Sequence, residues 1–93
     1  MRIRGIIWLE QIAQKVTSKH HLARREVEEV FAGKLQYRHL ERGRIGGEDV
    51  YAAYGRTEAG RYVTAIFILK LNQMALIITA RDMDQKERRQ YER

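Results

Sequence analysis

The spacing of apolar and polar residues divides the chain into short, alternating regimes. Ile3, Ile6, Ile7 and Trp8 form an apolar run broken by Gly5, which suits either an opening strand or the lead-in to a helix. From about Glu10, Ile12, Ala13 and Val16 recur at helical spacing among Gln, Lys and Ser, predicting a first helix that reaches about Lys19 and breaks at His20-His21. Val27, Val30 and Phe31 then repeat at i, i+3 and i+4, with Glu26, Glu28 and Glu29 on the other faces and Gly33 as a stop, predicting a second helix. Beyond Gly33 the period becomes two: Leu35, Tyr37 and His39 alternate with Gln36, Arg38 and Leu40, as in an exposed or half-buried strand. Residues 41–47 read as a turn holding Arg42, Arg44 and three glycines. Residues 50–57 and 61–71 are rich in Tyr, Val, Ile, Phe and Thr, and the link Glu58-Ala59-Gly60 is short enough for a hairpin. Asn72-Gln73 ends that strand and residues 74–80 form another, in which the run Leu76-Ile77-Ile78 predicts burial on both faces of a sheet. In the tail, Asp84 stands as an N-cap before Gln, Lys, Glu and Arg, predicting a third helix whose single apolar residue is Tyr91. Such a helix must be held by docking, because it has no apolar stripe of its own.

The expected class is therefore α+β: two N-terminal helices and one C-terminal helix packed on a small, mainly antiparallel sheet of four to five strands. With 93 residues the chain has room for one core, so residues 1–93 are read as a single domain. Its 44% hydrophobic content is enough to build that core, which argues against a disordered chain. No apolar run approaches the roughly 20 residues that span a bilayer, and the first ten residues lack a signal-peptide pattern. The absence of cysteine removes disulfide scaffolds, zinc ribbons and thiolate nucleophiles. A cytoplasmic protein with no membrane contact is the expectation.

Charge narrows the choice of partner. Lys and Arg number 18 against 12 acids, a net +6, which favours polyanions and puts nucleic acid first among partners, although small basic proteins often bind nothing specific. His20, His21 and His39 have no metal-ligand spacing, the glycines lack the strand-to-helix setting of a phosphate loop, and Ser18 stands without a triad, so neither a metal nor a cofactor is expected. What remains is a basic set with aromatic and hydroxyl neighbours: Arg56, Arg61, Arg81, Arg88, Arg89, Tyr91 and the histidines. RNA can be cut with these groups, because its 2′-hydroxyl is an internal nucleophile and the protein need only move protons and neutralise charge on the phosphate.

The segment ALIITARDMDQKERRQYER resembles the ending of BrnT proteins, in which a strand closing on a Ser-or-Thr-Ala-Arg step leads into a helix with a Glu-Arg-Arg-x-Tyr-Glu pattern. Here these are Thr79, Ala80 and Arg81, then Glu87, Arg88, Arg89, Tyr91 and Glu92. Gly55-Arg56-Thr57, the Gly60-Arg61 turn and the strand to Leu71 follow the same layout, so the likeness covers most of the chain. Toward the front Trp8, Lys19 and His20 match, whereas Leu9-Glu10 departs from the family's Asp after Trp, the helix Asn is missing, and His21 stands where the family has Gly. The resemblance implies a RelE-like sheet with its helices on one side. It also implies a toxin of a type II toxin–antitoxin pair that cleaves RNA without metal and is neutralised by a ribbon-helix-helix antitoxin of the BrnA type, the two forming an oligomeric, operon-repressing complex.

Each candidate has an ordinary alternative. Arg81 is expected as a bidentate phosphate clamp, or else as the salt-bridge partner of Asp82, Asp84 or Glu87. Arg88 and Arg89 are adjacent on a helix and face apart, so one enters a site, and Arg88 is the choice because it can share a face with Arg81. Tyr91 can stack on a base, supply a hydroxyl, or simply anchor its helix. His20 is an acid–base candidate, or a cation closing a helix end. Arg56, Arg61, Lys19 and Trp8 are expected to contact RNA, and Glu48 and Glu58 are possible bases or solvated turn residues. The rival reading of the whole is a diverged, non-catalytic toxin that serves as an interaction or operon-regulatory subunit.

Overall fold

In the computed structural model, which describes residues 1–93, the order is β1 (Gly5–Ile7), α1 (Glu10–His20), α2 (Arg24–Ala32), β2 (Gln36–Glu41), β3 (Val50–Arg56), β4 (Tyr62–Leu69), β5 (Met74–Asp82) and α3 (Gln85–Tyr91). One five-stranded sheet runs β1-β5-β4-β3-β2. Strands β2 to β5 form an antiparallel meander, while β1 lies parallel to β5 with Ile6 beside Ala75. The opening apolar run is thus a strand. The hairpin falls where Glu58-Ala59-Gly60 predicts it: Thr57 and Arg61 close it through backbone bonds, and Gly60 takes the positive φ of 95° that the turn needs.

The helices begin and end for local reasons. Leu9 and Ala23 precede α1 and α2 without a side-chain cap, but the Glu26 carboxylate accepts the Ala23 N–H at 3.0 Å, satisfying one orphan donor at the start of α2. Helix α1 ends because His21 turns left-handed, at φ 54°, and its N–H bonds back to the Thr17 carbonyl. The glycine of the family's Lys-His-Gly step would fit this conformation without strain, and here a histidine adopts it.

Alternation along the strands sorts side chains onto two faces. Val63, Ala65 and Phe67 of β4, with Ala53, Ala75, Ile77 and Ala80, face Val16 of α1, Val27 and Val30 of α2 and Leu22 of the link between those helices, and together they make the core. Gly55 lets α2 settle on β3, since a Cβ there would come within 2.9 Å of Val30 Cγ1. Tyr62, Thr64, Ile66 and Ile68 point the other way. Helix α3 lies on that second face, because its Glu87 takes hydrogen bonds from Thr64 Oγ1 (3.0 Å) and from Arg81, which is paired with Thr64 in the sheet. The expectation that all helices share one side is corrected: the Met83 link carries the chain over the end of the sheet.

Burial of Leu76-Ile77-Ile78 on both faces is also corrected. Ala75, Ile77 and Ala80 are buried, but Ile78 is 37% exposed. A bulge between Ile66 and Phe67 leaves Ile78 without a cross-strand partner, and α3, at seven residues, covers only part of the second face. No helix is long and apolar enough to cross a membrane.

Candidate functional site

One end of the sheet, where β3 and β5 finish and β4 begins, gathers Arg56, Arg61, Tyr62, Arg81 and Asp82 within a few residues of one another in register. The C-terminus of α1 brings His20 to the core side of this end, and α3 brings Glu87, Arg88 and Tyr91 to the other. The sheet therefore separates the sequence candidates into two groups.

On the core side Arg61 is engaged through all three of its side-chain nitrogens. Nε and Nη2 donate to Asp82 at 2.6 and 3.2 Å, while Nη1 and Nη2 donate to the His21 and His20 carbonyls at 2.7 and 2.9 Å, and Glu26 lies 3.6 Å away. These carbonyls are the orphan acceptors of the α1 C-terminus, so Arg61 fastens that helix to β4 and β5. The bond from Arg61 holds the Asp82 carboxyl below its usual range, with a smaller contribution from the charge of His20, and Asp82 in turn raises the Arg61 guanidinium. Lys19 sits exposed on the last turn of the same helix.

On the α3 side Arg81 donates Nη1 and Nη2 to the two Glu87 oxygens at 2.8 and 2.9 Å, the fork-to-fork geometry of a strong pair. Glu87 also accepts from Thr64 and from the Asp84 N–H, so its carboxyl is held below the ordinary range, chiefly by Arg81. Beside this pair stands Tyr62. The Arg88 and Arg56 guanidinium carbons lie 4.0 and 4.6 Å from its ring centroid, its hydroxyl donates to Glu92 at 2.9 Å, and Tyr91 meets it edge-on at 6.0 Å. Arg88 reaches Glu92 only loosely, at 3.7 Å, and Arg56 has no carboxylate within ion-pairing distance. Gly60, Arg61, Tyr62, Asp82, Met83 and Arg88 line an open cleft of about 260 Å³. That is smaller than the roughly 300–1,000 Å³ of enclosed small-molecule sites.

Three sequence candidates have other surroundings. Tyr91 anchors α3, its hydroxyl donating to the Lys34 carbonyl at 3.1 Å and its own carbonyl accepting from Gln36 at 2.9 Å. Trp8 packs half-buried against the core from the β1 side, and its Nε1 is buried without a partner. Glu48 lies at the opposite end of the sheet. It accepts from Lys70 Nζ at 2.9 Å and the Leu71 N–H at 3.1 Å, contacts that hold it ionised, and the eight residues of β4 put about 23 Å between the two ends at roughly 3.3 Å per step. Glu48 therefore cannot act on a group held by Arg88. Sequence reasoning missed Tyr62, although strand parity places it beside Arg56, and weighed Glu87 only as an ordinary partner for Arg81.

No protein-family model matches the chain, and no curated protein does either. Among solved structures, the 1.1 Å crystal structure of the Brucella abortus ribonuclease toxin BrnT superposes with a TM-score of 0.60 at 20% sequence identity, over 87% of this chain and 97% of that one. The three-helix, five-stranded architecture described above is thus the fold of that ribonuclease toxin.

Proposed function

We propose that this protein is a toxin of a toxin–antitoxin pair that cleaves RNA in the cytoplasm without a metal ion and is neutralised by a BrnA-type antitoxin. The observation that carries the reading is the fold shared with a ribonuclease toxin over 97% of the latter's length. The Arg56, Tyr62 and Arg88 cluster then supplies the chemistry. The 2′-hydroxyl of RNA attacks the adjacent phosphorus, its proton passing to a base, and the bond to the 5′-oxygen breaks as that oxygen takes a proton, leaving a cyclic phosphate and a free 5′-hydroxyl. In this reading Arg88 and Arg56 neutralise charge growing on the phosphoryl oxygens, a role supported by the Tyr62 ring that lies under both guanidiniums. Glu92, exposed and bonded to the Tyr62 hydroxyl, and His20 across the sheet end are the proton-transfer groups within this reading.

A second reading has its own support. Arg81 and Arg61 are both closed by carboxylates, as expected of structural ion pairs in a binding subunit that no longer cuts. End-labelled RNA incubated with the purified protein in chelator, without ribosomes, separates the two. Cutting that persists in chelator and falls about 100-fold in Arg88→Ala supports the nuclease, this being the scale of a lost transition-state charge contact. Intact RNA beside a folded wild-type protein sinks it in favour of the binding subunit or of a toxin that acts only on ribosomes.

A further inference from the structure

The largest cleft in the molecule lies away from this site. About 460 Å³ in volume, it opens at the far end of the sheet and is lined by Arg42, Arg44 and Ile45 of the 42–49 loop together with Val50 of β3 and Ile68 of β4. Ile68 faces the same way as Thr64, so this cleft and the Arg81–Glu87 pair share the second face of the sheet. The local carboxylates are mostly occupied. Glu48 is taken by Lys70 and the Leu71 N–H, and Asp49 is held by the Gly43 N–H at 3.0 Å and His39 Nε2 at 2.9 Å. Neither Arg42 nor Arg44 lies within ion-pairing distance of a carboxylate, and Glu41 is the one unpaired acid on the rim, so the cleft remains cationic.

We propose that this cleft is a second RNA subsite, which takes a nucleotide of the bound strand with its phosphate on Arg42 and Arg44 and its base against Ile68, Val50 and Ile45. The volume falls within the range of sites that hold molecules of nucleotide size, and aliphatic side chains beside two guanidiniums that lie outside ion-pairing distance of any carboxylate, although the charge of Arg42 is felt by Asp49, match a base joined to a phosphate. The separation of about 23 Å, again at roughly 3.3 Å per residue of β4, lies within the reach of one single strand, since basic grooves of this kind cover ~4–16 nucleotides. The inference rests on the reading of this protein as one that handles RNA. It adds that substrate length, and not only the scissile step, governs affinity.

Binding to fluorescein-labelled, 2′-O-methyl single strands of ~4 and ~12 nucleotides, followed by anisotropy at several salt concentrations, tests this. The longer strand should bind at least about tenfold more tightly to the wild-type chain. The Arg42→Ala/Arg44→Ala double variant should lose that advantage, and its salt slope should fall by about 0.7, the value for the one phosphate that the two arginines hold. Arg42→Lys/Arg44→Lys should keep most of the slope, showing that the loop has not collapsed. Equal affinity for both lengths, or an unchanged slope in the alanine variant, overturns the subsite. So does tight binding of AMP alone that is lost in the variant without any length effect, which would assign the cleft to a free nucleotide. Because 2′-O-methyl strands cannot be cut, a length effect without cleavage of ordinary RNA would sink the nuclease and leave the subsite standing.

Discussion

At the scale of single residues, His21 shows how a sequence departure can leave the backbone in place. A histidine at φ 54° carries a steric cost of about 1 kcal/mol that glycine avoids, and its side chain makes no hydrogen bond that would offset this cost. His21→Gly is expected to stabilise the protein by about that amount, read as a rise in denaturation midpoint, while the His21 carbonyl goes on receiving Arg61. A loss of stability would show that the imidazole does work the structure does not display. The roles of Arg81 and Arg61 could not be assigned from the chain itself. Arg81 has Asp82, Asp84 and Glu87 within six residues and Arg61 has only Glu58 within ten, and the folded geometry selects Glu87, six residues on, for the first and Asp82, twenty-one residues on, for the second.

Among the elements, α3 is the least secured. It buries no residue and is held by the Asp84–Glu87 capping bonds, by Glu87 on Thr64 and Arg81, and by Tyr91 on Lys34 and Gln36. Asp84→Ala should cost about 1 kcal/mol of helix stability and speed amide exchange over residues 87–91 while leaving β4 protected. Uniform loss of protection across the chain would instead make α3 part of the core unit. The helices, the strands and the hairpin were legible because apolar spacing reports an element's period and its buried side. The bulge at Ile66/Phe67, the parallel partner of β1 and the side taken by α3 were not, since each depends on pairing between segments far apart in the chain. Tyr62 was overlooked for the same reason. It becomes a neighbour of Arg88 only once α3 is known to lie on its face.

For the molecule as a whole, acid stability follows from the carboxylates. Glu48, Asp49, Asp82 and Glu87 are all held below their ordinary range by hydrogen bonds and cationic neighbours, so the folded chain binds fewer protons than the unfolded one near their normal values. Their contribution is complete above the unfolded-state values and is lost as pH falls through the lower folded ones. The melting temperature should therefore be flat above about pH 5 and drop steeply below about pH 4. Glu87→Gln should start lower and fall less steeply, and an equally steep decline in that variant would remove Glu87 from the account. The pairing of β1 with β5 has a consequence in time. A ribosome releases the first strand of this sheet long before its neighbour exists, and Arg88 emerges only with the closing helix. A growing chain therefore holds no assembled cluster of Arg56, Tyr62 and Arg88 until α3 has left the ribosome, so under the proposed reading a chain cut short before that helix lacks the groups that would act on RNA.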